Sequence, residues 1–91
     1  MGQVIIGFKI YPKSIETDLE KLRDDIGKAL PNGTMISKSS IEPIAFGLSA
    51  LILDIVMPEE EAISDKIEEI VGSNGDIENF EVLSQRRVLR F

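Results

Sequence analysis

Cysteine and histidine are both missing from this chain of 91 residues. Without cysteine there is no disulfide framework, no thiolate metal site and no thiol nucleophile. Without histidine the commonest general base near neutral pH and the commonest transition-metal ligand are gone, which excludes catalytic triads in their usual forms and argues against zinc or hydrolytic chemistry. Basic residues are also scarce: 10 Lys and Arg against 16 Asp and Glu give a formal charge of −6, the wrong sign for a domain that grips phosphates. No apolar run approaches the roughly 18 residues that span a bilayer. Met1-Gly2-Gln3 carries no basic segment, and the apolar run from Val4 to Ile10 is too short for a signal peptide and precedes no small-residue cleavage pattern. These absences lead us to expect a soluble cytoplasmic protein without membrane or direct nucleic-acid contact.

What is present is ordinary globular material. Hydrophobic residues make up 43% of the chain, enough for one compact core, and they are spread along its length. A chain this size buries about two-thirds of its unfolded surface. Val4, Ile6, Phe8 and Ile10 alternate, predicting a first strand ended by Pro12. The period then lengthens: Ile15, Leu19, Leu22, Ile26 and Leu30 recur at steps of three and four, predicting an amphipathic helix over 14–30. Thr17 and Glu20 fit a capping box, and Pro31-Asn32-Gly33 supplies a stop. Residues 34–41 alternate loosely as a weaker second strand. Leu51, Leu53, Ile55 and Met57 alternate with Ile52, Asp54 and Val56 in a strong third, ended by Pro58. Acidic residues Glu59 to Glu61 open a second helix whose stripe is Ile63, Ile67, Ile70 and Val71, and Gly72-Ser73-Asn74-Gly75 breaks it. Phe80 to Gln85 predicts a last strand, with Leu83 interrupting its polar face. Strand, helix, strand, strand, helix, strand is the split βαβ plan, an α+β ferredoxin-like sandwich with a four-stranded antiparallel sheet and two helices on one face, in a single domain over 1–91.

No constellation of chemistry-bearing residues stands out. The acids from Glu59 to Glu69 lack an alternating ligand loop with a central glycine and read as a solvated helix face, so no metal is expected. Gly72-Ser73-Asn74-Gly75 lacks the lysine and spacing of a phosphate loop and follows a helix, so no cofactor is expected. The central strands do not display the basic and aromatic residues of an RNA-binding sheet. Ser37-Lys38-Ser39 places serine and lysine as sequence neighbours, which is no argument for a catalytic pair. The chain is not expected to be an enzyme.

One segment does not fit solubility and packing. Pro43-Ile44-Ala45-Phe46-Gly47-Leu48 is apolar where a connection between strands is normally polar. Phe46 is therefore either a buried plug or an anchor facing a partner. With Ser49-Ala50-Leu51, this segment resembles the proline, apolar, glycine or alanine, aromatic, glycine, apolar signature of the guanine nucleotide exchange domain of elongation factor 1-beta. The archaeal form also matches in length. Asp18-Leu19 in the first helix and the Leu30-Pro31-Asn32-Gly33 turn recur in the same order, so the likeness runs along essentially the whole chain.

The resemblance implies a ferredoxin-like domain that binds the GTPase elongation factor 1-alpha and speeds GDP release so that GTP can bind. It implies that Phe46 inserts into a pocket of the GTPase, with Pro43, Ile44 and Gly47 shaping the loop. Eukaryotic members carry a lysine just before the last residue, directed at the GTPase's magnesium site. Arg90 stands there in this chain, keeping the charge on a broader planar group; a solvated terminal charge is the alternative. The resemblance further implies an exchange domain without the N-terminal extension of eukaryotic members, monomeric when free. A small ligand-sensing module or an assembly subunit of the same fold, with no exchange activity, remains the alternative.

Overall fold

The computed structural model describes residues 2–88. Arg90 lies outside them. Six elements follow one another: β1 (Gln3–Pro12), α1 (Leu19–Ala29), β2 (Met35–Ala45), β3 (Leu48–Pro58), α2 (Glu61–Gly72) and β4 (Ile77–Val88). The strands form one antiparallel sheet in the order β2-β3-β1-β4. Each helical connection therefore skips a strand: β3 lies between β1 and β2, and β1 between β3 and β4. This is the ferredoxin-like α+β architecture expected from the sequence.

Period-two alternation explains why the central pair forms. Val4, Ile6, Phe8 and Ile10 of β1 sit directly opposite Met57, Ile55, Leu53 and Leu51 of β3, and all eight are buried. Leu22 and Ile26 of α1, Ile67 and Val71 of α2, and Ile77 complete this core. Phe80 of β4 reaches Phe8 with ring centroids 6.0 Å apart and planes tilted by 55°, within the range that favours edge-to-face contact. Burying a side chain of this size stabilises by about 1.5–3 kcal/mol, so eight in one layer outweigh any single feature at the sheet's margins.

The opposite face is half-covered. Ile5, Ile52 and Val56 are partly exposed there. Arg86 of β4 reaches Asp54 of β3 at 3.8 Å, across the intervening β1, where Gly7 offers no side chain. A Cβ at Gly7 would stand 3.1 Å from the Asp54 carboxylate and 3.0 Å from the Ser84 hydroxyl, so glycine leaves the room that this crossing uses. Arg87 pairs with Glu59 and fastens β4 to the entry of α2. No helix among the described residues is long and apolar enough to cross a membrane.

Several boundaries differ from the sequence reading, each for a local reason. The first helix begins at Leu19, not Ser14, and its cap is Asp18, not Thr17: the Asp18 carboxylate accepts from the backbone N–H of Glu20 and Lys21, both at 3.1 Å. A carboxylate both satisfies these free donors and complements the helix dipole, whereas a hydroxyl does only the first. Ser14 instead closes a turn by accepting from the Glu16 N–H at 3.0 Å, which leaves Ile15 exposed despite its helical spacing. The second helix starts at Glu61, with Glu60 as its N-cap residue. The last strand is longer than 80–85 at both ends, and Leu83 is an extra residue between the pairs Gly7↔Ser84 and Phe8↔Val82. That β-bulge is why the alternation breaks there.

Replacing Asp18 by alanine is expected to lower unfolding stability by about 1 kcal/mol, while Thr17→Ala leaves the urea midpoint close to that of the parent. The reverse order of effects would place the cap at Thr17.

Candidate functional site

The second strand extends well beyond 34–41. It runs through Glu42, Pro43, Ile44 and Ala45, and β3 begins already at Leu48. Only Phe46 and Gly47 remain as the turn, so the apolar segment that the sequence marks as a connection is mostly hairpin strand. Two features make this possible. Proline lacks a donor and is tolerated on an edge strand, and β2 is an edge. Ile44 is an extra residue between the pairs Pro43↔Ser49 and Ala45↔Leu48, a second bulge that absorbs the irregularity.

The hairpin overhangs the last β1–β3 pair, while β1 itself continues to Pro12 along β4. The last β1–β3 pair is Ile10↔Leu51, yet β2 and β3 stay paired through Glu42↔Ala50, Pro43↔Ser49 and Ala45↔Leu48. Three further residues of β3 at about 3.4 Å each carry the tip roughly 10 Å past the last β1 partner. Lys9 on β1 reaches the Glu42 carboxylate at 3.5 Å and bridges the base of the overhang to the central sheet. Its ammonium also lies 5.6 Å from the Tyr11 ring centroid. Loss of hydration lowers the Lys9 pKa, but the Glu42 carboxylate and the Tyr11 hydroxyl outweigh it and hold the group above the ordinary lysine value.

At the tip, Phe46 has φ 54° and Gly47 φ 80°. Two-residue hairpin loops of this kind need positive φ at both positions, and Asn-Gly is the favoured pair because both residues reach that region cheaply. Gly47 meets the requirement at no steric cost. No atom lies within 4 Å of where its Cβ would be, so the demand for glycine here is purely conformational. Phe46 does not meet it: an L-residue in the left-handed region costs about 1–2 kcal/mol. Nor does packing compensate, since Phe46 is 101% exposed. Among the described residues it is the single non-glycine residue with positive φ.

Pro43, Ile44, Phe46 and Gly47 are thus brought together on one projecting hairpin, and the plug alternative for Phe46 does not apply in this structure. Ile44 is 41% exposed, and Ile41, half a turn of the hairpin back, is 52% exposed. Ile41 continues the apolar ridge. It is a residue that sequence reading passes over, because within a weak strand pattern it looks like core. Arg90 lies outside the described residues. Val88 pairs with Gln3, so β4 leaves the sheet at the end opposite the hairpin tip.

Comparison with known proteins bears on this site. The EF-1 guanine nucleotide exchange domain family matches residues 5–88. A protein of Staphylothermus marinus called Elongation factor 1-beta is 43% identical over 97% of this chain and 99% of its own length. Proteins of the same name from Sulfurisphaera tokodaii and Methanothermobacter thermautotrophicus are 39% and 37% identical, covering 97% and 98% of this chain and 98% and 100% of theirs.

The tip geometry has a direct consequence for stability. Phe46→Asn is expected to raise unfolding stability by about 1 kcal/mol, because asparagine occupies the left-handed region more readily. Gly47→Ala is expected to lower it by about 1 kcal/mol in spite of the empty space around it. Urea unfolding followed by circular dichroism reads both. Destabilisation by Phe46→Asn would show that the ring contributes packing and contradict the account.

Proposed function

Because this chain belongs to the EF-1 guanine nucleotide exchange domain family, we propose that it serves translation elongation by promoting GDP release and GTP rebinding on elongation factor 1-alpha. The observation that carries the mechanism is Phe46: a large aromatic, fully exposed and held in a strained backbone conformation at the tip of a projecting hairpin. Strain of this kind persists where the surroundings over-determine it and where the side chain is needed in one place. Here the flanking β2–β3 ladder over-determines it, and the need is a rigid aromatic wedge.

The wedge works by differential binding. Phe46 enters an apolar pocket of the GTPase, with Ile44 and Pro43 extending the contact and Gly47 allowing the reverse turn that exposes the ring. An aromatic brings large apolar area with few rotatable bonds, the profile of an interface hot spot. Because the tip is already ordered, little conformational entropy is lost on docking. Exchange follows if the exchange factor binds the nucleotide-free GTPase more tightly than the GDP-bound form, and linkage requires GDP to weaken its binding by the same factor. Each tenfold of that preference corresponds to about 1.4 kcal/mol. No bond is made or broken by this chain, and the GTPase retains the hydrolytic chemistry. The same reading takes residues 1–91 as one exchange domain acting in the cytoplasm, monomeric when free, with Arg90 as a further partner contact in the place of the eukaryotic lysine.

Release of a fluorescent GDP analogue from the cognate elongation factor 1-alpha tests this. Wild type is expected to accelerate release, and Phe46→Ala to lose most of that acceleration while remaining folded by circular dichroism. Undiminished acceleration by Phe46→Ala would move the mechanism off the hairpin, and no acceleration by wild type would overturn the proposal.

A further inference from the structure

One feature that the hairpin does not use is a cleft of about 450 Å³ between α1 and the outer edge of β2. Arg23, Lys28 and Lys38 line it against a single carboxylate, Asp24, giving a local charge of 3 − 1 = +2 in a chain whose total is −6. Asp24 is already engaged by Arg23 at 3.4 Å. Lys28 and Lys38 have no ion-pair partner among the described residues. Gly27 and Ile36 form an apolar floor, and the absence of a side chain at Gly27 keeps it open. A smaller recess of about 200 Å³ continues the cleft toward Leu19, Glu20, Ile41 and Leu51, with Arg23 and Ser39 shared between the two; Glu20 makes the combined lining three cations against two carboxylates, a charge of 3 − 2 = +1. From Ile36 to Ile41 the combined groove follows the edge strand for six residues, about 20 Å.

The register shows how the groove is organised. Ile36, Ser39 and Ile41 lie opposite Ile55, Leu53 and Leu51, whose side chains are buried beneath the helices, so these three share the helix side of the sheet. Lys38 lies opposite Asp54 and belongs to the other side. Cations therefore flank the edge from both sides: Arg23 and Lys28 from α1, and Lys38 across the rim. β2 pairs only with β3, so the backbone donors and acceptors along its outer side are a template for another strand.

We propose that this edge is a docking site for an extended acidic segment of a partner protein, which adds to β2 as a fifth strand. Its carboxylates would lie on the helix side, facing Arg23 and Lys28, and its alternate apolar side chains on the opposite, half-covered face of the sheet. Charge complementarity selects this occupant. A second copy docked β2 to β2 across a two-fold axis would bring Arg23 and Lys38 of one copy toward those of the other. The opposite sheet edge, β4, carries Glu78 and Glu81 beside the acidic face of α2, and its Arg86 and Arg87 are already paired with Asp54 and Glu59, so it is the less favourable edge for such a segment. Lys38 and Phe46 are eight residues apart on the extended hairpin, roughly 26 Å, so docking here leaves the tip free.

The test uses the full chain and a fluorescein-labelled peptide of four Val-Glu repeats, with four Val-Lys repeats as its counterpart. Anisotropy is expected to show binding of the glutamate peptide alone, weakened roughly tenfold by Arg23→Gln/Lys28→Gln and abolished by Arg23→Glu/Lys28→Glu. Amide exchange is expected to slow at residues 39–42 in the bound state, and GDP release by these variants to match wild type. No binding of the glutamate peptide, equal binding of the lysine peptide, or protection on β4 would overturn the proposal. Concentration-dependent self-association would assign the edge to a second copy, and tighter binding of a uridine oligonucleotide would assign it to nucleic acid.

Discussion

Burial of one face of the β1–β3 pair is the constraint on which the other features depend. Eight side chains from Val4 to Ile10 and Leu51 to Met57 meet in direct cross-strand register under the helices. A slip of one residue would turn all of them to the open face, so the register is held by the whole layer. β3 is central in this layer and also one arm of the projecting hairpin. The pairing that starts in the core thus continues along β3 to the tip. Strain of about 1–2 kcal/mol at Phe46 is then sustainable, because a single buried core side chain contributes about as much.

The two edges of the sheet have been left in different chemical states. β2 is exposed along most of its length, bordered by Arg23, Lys28 and Lys38, and backbone-paired with β3 alone. β4 is tied down by the Phe80 ring on Phe8, the Arg86–Asp54 pair and the Arg87–Glu59 pair. The overall negative charge thus conceals a local excess of cations at the β2 edge. Association is thereby steered toward β2 and its hairpin, the part of the molecule with the least internal packing and the most exposed apolar area.

Much of this was legible in the residues, and the failures were physical. The alternation of β1 and β3 and the three-four spacing of both helices placed the core before any coordinates, since each pattern has one face that must leave water. Ile15 misled because spacing alone cannot tell a helical residue from a turn residue that happens to share the period. Leu83 and Ile44 are bulge residues, and a bulge disturbs periodicity without announcing its position. The two-residue turn was hidden because phenylalanine stands where asparagine would have signalled it. That concealment is itself informative: the local rule is broken at the position to which family resemblance assigns the inserting aromatic. The edge cleft had no sequence signature, because Arg23, Lys28 and Lys38 converge only through the packing of α1 beside β2.

The central claim is that chain stability is given up at Phe46 for selective recognition of one state of the GTPase. Affinity for nucleotide-free and for GDP-bound elongation factor 1-alpha, measured by calorimetry with wild type and with Phe46→Asn, tests it most directly. The account predicts that wild type prefers the nucleotide-free form by at least roughly tenfold, and that the more stable asparagine variant binds the two forms nearly alike. A preference that survives intact in Phe46→Asn would contradict it.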